Sequence, residues 1–240
     1  MVAGTGVAVA KHGNRSVSSR CGSADVLEAL GINISMEADR LEECLKKVGL
    51  VFLFAQKLHP AMKNVALIRK ELAVETIFNI LGPLSNPARA THQIIGVYRR
   101  DLVEPMIHVL KNLGLKRALV VHGSDGLDEI TTTGKTFAGE FDGRKITFYD
   151  IDPKQFGIAY ATMEDFKGGD LNTNVAIVHA ILRGEKGAKR DIVILNAAYA
   201  LYVSQKGNDI AEGIKLAAES IDSGKAFAKL EELKRFTQKD

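Results

Sequence analysis

Short apolar or β-branched runs alternate along this chain with longer stretches of helical periodicity, and that alternation restricts the fold more than any other feature. Val7 to Ala10, Val51 to Ala55, Ile94 to Tyr98 and Ala118 to Val121 have strand length and strand composition. Helices are expected at Ala24 to Leu30, Glu37 to Val48, Ala61 to Leu72, Leu102 to Leu113, Asn174 to Leu182, Asp191 to Ser204 and Asp209 to Asp222. In the last of these, Ile210, Ile214, Ala217 and Ile221 repeat at i, i+4, i+7 and i+11 and define one buried stripe. Strands alternating with helices build βα units, so the expected fold is α/β, with a mostly parallel central sheet flanked by helices. One antiparallel hairpin interrupts the pattern, because Thr136 to Phe141 and Lys145 to Ile151 alternate in polarity around the turn dipeptide Asp142-Gly143. No internal repeat, low-complexity segment or Pro/Gly/Ser linker divides residues 1–240, and the tail from Arg235 to Asp240 is expected to fray.

Composition narrows the function classes. With 240 residues, 46% of them hydrophobic and 25% charged, the chain buries a large core and is neither disordered nor a disulfide-stapled scaffold. A formal net charge of +3 is too small for the basic footprint of a dedicated nucleic-acid binder, so an anionic ligand must be caught by a local cluster. The two cysteines, Cys21 and Cys44, lack C-x-x-C spacing, which fits a reducing compartment and a cytoplasmic address. The apolar runs Val48 to Ala55 and Ile192 to Val203, the second with Asn196 inside it, fall short of the roughly 20 residues of a membrane span. Met1 to Ala10 has no basic leader and does not read as a signal peptide. The histidines at 12, 59, 92, 108, 122 and 179 give no i, i+4 pair for a helical zinc site. Gly134-Lys135-Thr136 imitates the end of a P-loop, but Glu129 stands where its first glycine belongs, and Gly4-Thr5-Gly6 reads as a small-residue turn before the first strand.

Two segments carry chemistry. Residues Lys11 to Asp25 hold three cations, four serines and two glycines after a strand, and lead into a helix for which Asp25 and Glu28 suit a capping pair. A Gly/Ser-rich loop between strand and helix can collect backbone N–H groups, hydroxyls and cations around a phosphate, although the same composition also makes an ordinary polar loop. Gly123 to Thr131 follows another buried run. Its adjacent carboxylates read either as a solvated acidic turn or as a holder for Mg²⁺ on a polyphosphate. Anion cradle and metal holder together favour phosphoryl or pyrophosphoryl chemistry.

These segments, with His59-Pro60-Ala61-Met62-Lys63, Thr76-Ile77-Phe78-Asn79-Ile80-Leu81-Gly82-Pro83-Leu84, Asn86-Pro87-Ala88 and Gly126-Leu127-Asp128-Glu129, closely resemble the anthranilate phosphoribosyltransferase family over essentially the whole chain. The resemblance implies a nucleoside phosphorylase/phosphoribosyltransferase-like fold. It implies transfer of the phosphoribosyl group from 5-phosphoribosyl 1-pyrophosphate (PRPP) to the amine of anthranilate in tryptophan biosynthesis, with Mg²⁺ and release of pyrophosphate. By motif position, Lys11, Asn14 and Ser23 would face PRPP; His12, Asn14 and Arg69 would face anthranilate; Asp128 and Glu129 would hold the metal. Residues 61–84 would be helices of a small hinge domain that supplies a homodimer interface. The family's Gly-Thr-Gly-Gly-Asp pyrophosphate loop belongs upstream of Val7, so the chain is expected to be a C-terminal part, weakly active or inactive alone, with altered dimerisation. Glu75 stands where the family usually has arginine. The competing expectations are a pyrimidine nucleoside phosphorylase-like enzyme and a non-catalytic nucleic-acid-binding relative.

Overall fold

The computed structural model describes residues 1–15, 21–59 and 78–238. The chain divides into two compact units, one made of Met1–Val7, Ala90–Gly168 and Val178–Phe227, the other of Ala8–Arg89, Gly169–Ile177 and Ala228–Asp240. The helix expected over Ala61 to Leu72, together with Arg69 and Glu75, lies outside the described residues.

The first unit is built on a four-stranded sheet of β3 (His92–Gly96), β4 (Arg117–Gly123), β5 (Thr136–Phe141) and β6 (Ile146–Ile151), in that spatial order. β3 and β4 are parallel, with Ile94 opposite Leu119, and the two hairpin strands continue antiparallel from β4. Asp142 shapes the hairpin loop: its carboxylate accepts from the N–H groups of Arg144 (2.8 Å) and Lys145 (2.9 Å), and Gly143 supplies the φ of +96° that a side chain would strain. Leu119 and Val121 point to one face and join Ile130, Ala138, Leu195 and Tyr199 in a core cluster. The other face of β4 and β5 is covered by α5 (Val103–Asn112), whose Val103, Met106, Ile107 and Leu110 are buried at helical spacing. α7 (Ala188–Val203) supplies Leu195 and Tyr199, and α8 (Ile210–Asp222) starts where the Asp209 carboxylate accepts from the Glu212 N–H at 2.8 Å. Arg190, 4% exposed, forks onto Asp222 at 2.7 and 2.9 Å and ties α7 to α8.

The second unit holds the parallel pair β1 (Val9–Gly13) and β2 (Leu50–Phe54), with α1 (Ser23–Ala29), α2 (Ala38–Val48), the single turn α3 (Ala55–Leu58) and α4 (Phe78–Leu84). α2 buries Leu41, Cys44 and Val48, carries Glu42–Lys46 and Glu43–Lys47 pairs outside, and stops at Gly49, whose φ of 75° closes the helix. α6 (Leu171–Leu182) spans residues of both units, as does α9 (Lys225–Thr237). The expected fraying from Arg235 does not occur before Thr237. Arg40 lies over the Phe236 ring at 4.4 Å, and the Thr237 hydroxyl accepts from the Asn33 N–H at 3.2 Å. Burial pushes the Cys44 thiol up to about 11. Among the described residues no helix is long and apolar enough to cross a membrane.

Candidate active site

Strand β1 begins two residues later and ends three residues later than expected, so Val7 and Ala8 precede it and Lys11, His12 and Gly13 belong to it, opposite Phe52, Leu53 and Phe54 of β2. Alternation along the strand leaves Lys11 exposed and sends His12 to the other face. There His12 Nε2 lies 3.1 Å from His59 Nε2, with the rings edge to face at 76°. Only one of the two nitrogens can carry the shared proton as donor. Burial first, then the charge of His59, hold the His12 imidazole below its ordinary value, opposed by a hydrogen bond to the Gly82 backbone. Asn86 Nδ2 donates to the Ala10 carbonyl at 3.3 Å, which docks the segment after α4 onto β1.

The exposed Asn14 follows the strand, and its side-chain oxygen accepts from the Arg15 N–H at 2.8 Å. Arg15 does not join the cation supply for an anion. It pairs at 2.6 Å with both Asp25 and Glu28, and its guanidinium lies 5.6 Å from the Phe54 ring centroid. Asp25 is therefore not the helix cap itself. Helix α1 begins at Ser23, and Asp25 in its first turn accepts from the Gly22 N–H at 2.8 Å. That N–H and then Arg15 hold the Asp25 carboxyl below its ordinary range. Ser23 is exposed, and its Oγ sits close to the end of β1, since a Cβ on Gly13 would lie 3.5 Å from it.

The acidic segment lies in the other unit, in the loop between β4 and β5. Asp125 organises it: its carboxylate accepts from the hydroxyls of Thr131 and Thr133, both at 2.5 Å, and from the Leu127 N–H at 3.1 Å. Burial pushes the Asp125 carboxyl up, but those three donors outweigh it and leave the group below its ordinary range. Asp128 and Glu129 are exposed, adjacent carboxylates on this ordered backbone. The Asp128 carbonyl is packed so closely on Gly96 at the end of β3 that an added Cβ would land on it. Thr136 is buried with its hydroxyl accepting from the Thr131 N–H at 3.0 Å, so the apparent P-loop ending is a β5 terminus. A cavity of about 840 Å³ opens beside this loop, lined by Arg99, Arg100, His122, Ser124, Asp125 and Phe137 among others, and neither Asp128 nor Glu129 lines it.

A family model described as glycosyl transferase family, a/b domain, matches residues 1–227. The chain is 53% identical to the anthranilate phosphoribosyltransferase of Acetivibrio thermocellus over 237 residues, which is 99% of this chain and 69% of the relative. The chain belongs to the anthranilate phosphoribosyltransferase family. Its structure is similar to that of the Thermus thermophilus anthranilate phosphoribosyltransferase, with a TM-score of 0.93 at 43% identity, covering 99% of this chain and 71% of that one. The Saccharomyces cerevisiae anthranilate phosphoribosyltransferase in complex with PRPP and Mg gives a TM-score of 0.88 at 27% identity, covering 98% and 67%, and has also been solved with 4-fluoroanthranilate. Neither alternative enzyme nor binding reading drawn from the sequence is favoured by these anthranilate phosphoribosyltransferases.

Of the residues that the family resemblance singles out, Lys11, His12, Asn14 and Ser23 share one unit, and Asp128 and Glu129 are neighbours in the other. Arg69 lies outside the described residues. Sequence reasoning missed His59 as the partner of His12 and Arg15 as the partner of Asp25 and Glu28. The second had a signal, since one cation faces two carboxylates spaced i, i+3 on the following helix. Among the described residues no group of three or more His, Cys, Asp or Glu is placed to hold a metal ion. Two adjacent exposed carboxylates are nonetheless a donor set suited to Mg²⁺, which commonly takes one or two carboxylates and fills its remaining positions with water and substrate phosphate oxygens.

Proposed function

We propose that this chain transfers the phosphoribosyl group of PRPP to the amine of anthranilate and releases pyrophosphate, the reaction of tryptophan biosynthesis for which its family is named. The anthranilate nitrogen bonds to the anomeric carbon of the ribose, the bond from that carbon to the pyrophosphate oxygen breaks, pyrophosphate keeps the electron pair, and the amine loses a proton. Lys11, Asn14 and Ser23 bind PRPP in this reading: an exposed ammonium, an amide and a hydroxyl offer donors to phosphate oxygens. His12, Asn14 and Arg69 receive anthranilate. A His12 imidazole whose charged form is disfavoured by burial suits a planar aromatic acceptor, and a guanidinium suits its carboxylate. Asp128 and Glu129 hold Mg²⁺, which when bound neutralises charge on the departing pyrophosphate. We also assign residues 61–84 to a small hinge domain that contributes to a homodimer.

The observation that carries the metal assignment is the exposed Asp128-Glu129 pair on a backbone fixed by Gly96 and by the Asp125 network. The ligands found with the yeast relative, PRPP and Mg, support it. Calorimetric titration of pyrophosphate with and without Mg²⁺ tests the reading. Asp128→Asn with Glu129→Gln should abolish the Mg²⁺-dependent part of binding, and an unchanged titration would remove these residues from the metal site.

A further inference from the structure

We infer that Asn196 is a positioning residue for the Asp128-Glu129 pair, an inference that rests on the reading of that pair as the Mg²⁺ holder. Asn196 is the polar interruption of an apolar helix run, Ile192 to Val203, and its amide is fully committed. Its Oδ1 accepts from the Ile130 N–H at 3.0 Å, while its Nδ2 donates to the Ile130 carbonyl at 2.7 Å and to the Ile192 carbonyl at 2.9 Å. The helix side chain thus grips both backbone groups of the residue that immediately follows Glu129.

The clasp matters because Ile130 has nowhere else to place those groups. Ile130 is fully buried, so its N–H and C=O cannot turn to water, and an unpaired buried amide is costly. A leucine at 196 would suit the apolar core better, yet it would leave Ile130 unmatched. On the other flank the Asp128 backbone rests on Gly96. The dipeptide is therefore held at both ends by groups that never touch the ligand, while both of its residues are exposed. Releasing one end lets the carboxylates spread over several orientations, and a metal must then reorder them. Groups that orient metal ligands in this way typically account for 10-fold to 100-fold in metal affinity.

The test uses the full chain with Mg²⁺ and inorganic pyrophosphate as probes, read by calorimetry, with Mn²⁺ electron paramagnetic resonance as a spectroscopic check. Asn196→Ala should weaken Mg²⁺-dependent binding about 10-fold or more, leave pyrophosphate binding without metal unchanged, and accelerate hydrogen exchange at the Ile130 amide. A merely structural role would lower the thermal midpoint without moving the metal affinity of the folded protein. If Asp128→Asn with Glu129→Gln loses Mg²⁺-dependent binding but Asn196→Ala retains it, the positioning role is overturned and the metal reading stands. If that double variant leaves binding unchanged, or the parent shows no Mg²⁺-dependent binding, the metal reading fails and takes this inference with it. Should Asn196→Ala not fold, the milder Asn196→Ser is titrated in its place. Failure of both to fold would also overturn the inference, because the amide would then be holding the fold and not the pair.

Discussion

Replacing Gly96 by alanine isolates the contact between strand β3 and the acidic loop. Gly96 is not among the glycines with positive φ, so the backbone accepts an L-residue there and the whole penalty is steric. The added Cβ would land on the Asp128 carbonyl oxygen, with the Asp128 Cα at 3.0 Å, and these are backbone atoms that cannot rotate aside. Gly96 is in register with Val121 at the last pair of the parallel ladder, and the next residue, Val97, still donates its N–H to the Val121 carbonyl at 2.9 Å, so the strand resists and the loop must give. Overpacking of this kind costs about 1–3 kcal/mol. At about 2–4 °C per kcal/mol for a chain of this size, the thermal midpoint should fall by roughly 2–12 °C. Gly139→Ala is the internal comparison. Its Cβ would meet Phe148 at 3.0 Å and the buried Val103 at 3.1 Å, both side-chain atoms that need to give only by a few tenths of an ångström, and the Phe148 ring, stacked on Phe137, is 39% exposed. Gly139→Ala should therefore cost under about 1 kcal/mol. Calorimetric unfolding and Mg²⁺-pyrophosphate titration of the two variants decide the matter, because only Gly96→Ala displaces Asp128, and disturbing what orients a metal ligand typically costs about 10-fold to 100-fold in metal affinity. An equal stability loss in both variants, or unaltered Mg²⁺-dependent binding in Gly96→Ala, would refute the reasoning.

Further outcomes follow from the same geometry. Asp222→Ala strips the fork from a 4% exposed Arg190 and leaves it the Gly184 carbonyl at 3.4 Å; because Asp222 is itself 47% exposed, the loss should be about 2–3 kcal/mol in urea denaturation. Adding Arg190→Met should recover part of it, and no recovery would mean that the cost does not come from the orphaned charge. Tyr149→Phe removes the 2.8 Å donor to Glu140, a carboxylate only 12% exposed, and should cost about 1–2 kcal/mol by calorimetry. His12, with a folded-state pKa below its ordinary 6.5, binds a proton more readily in the unfolded chain; its stabilising contribution is complete above 6.5 and is lost as the pH falls through the folded value. His12→Gln should flatten that acid-side slope, and a slope unchanged in thermal unfolding between pH 5 and 7 would assign it to other groups.

How far the fold could be read from the residues depended on whether the information was local. The stripe Ile210, Ile214, Ala217, Ile221 and the turn Asp142-Gly143 each specify their element within a dozen residues, and both elements form as expected. α9 was equally local but hidden. Its Ala226, Leu230, Leu233 and Thr237 repeat at the same i, i+4, i+7, i+11 spacing and are buried, yet Lys225, Lys229, Glu231, Glu232, Lys234 and Arg235 surround them, so the segment reads as a polar tail. The length of β1 was not local at all: Lys11, His12 and Gly13 are weak strand formers, and only the run Leu50–Phe54 opposite them extends the ladder that far.

The candidate site obeys the same division. Its ligand-facing residues sit in short motifs and could be named in advance, whereas the groups that hold them come from afar: His59 is 47 residues from His12, and Asn196 is 66 from Ile130. A polar residue inside an apolar helix announces that some buried group needs it, because an unbonded amide there would be costly. It does not announce which group. The partner is set when the core cluster draws α7 onto the β3–β4 sheet, bringing Ile130 together with Leu195 and Tyr199. The same strand pairing seats Asp128 on a glycine whose only visible peculiarity in the sequence is its small size. Substitutions at Gly96 and Asn196 should therefore perturb the acidic pair more than their distance along the chain suggests, and more than changes at exposed loop positions nearer to it in sequence, such as Ser124.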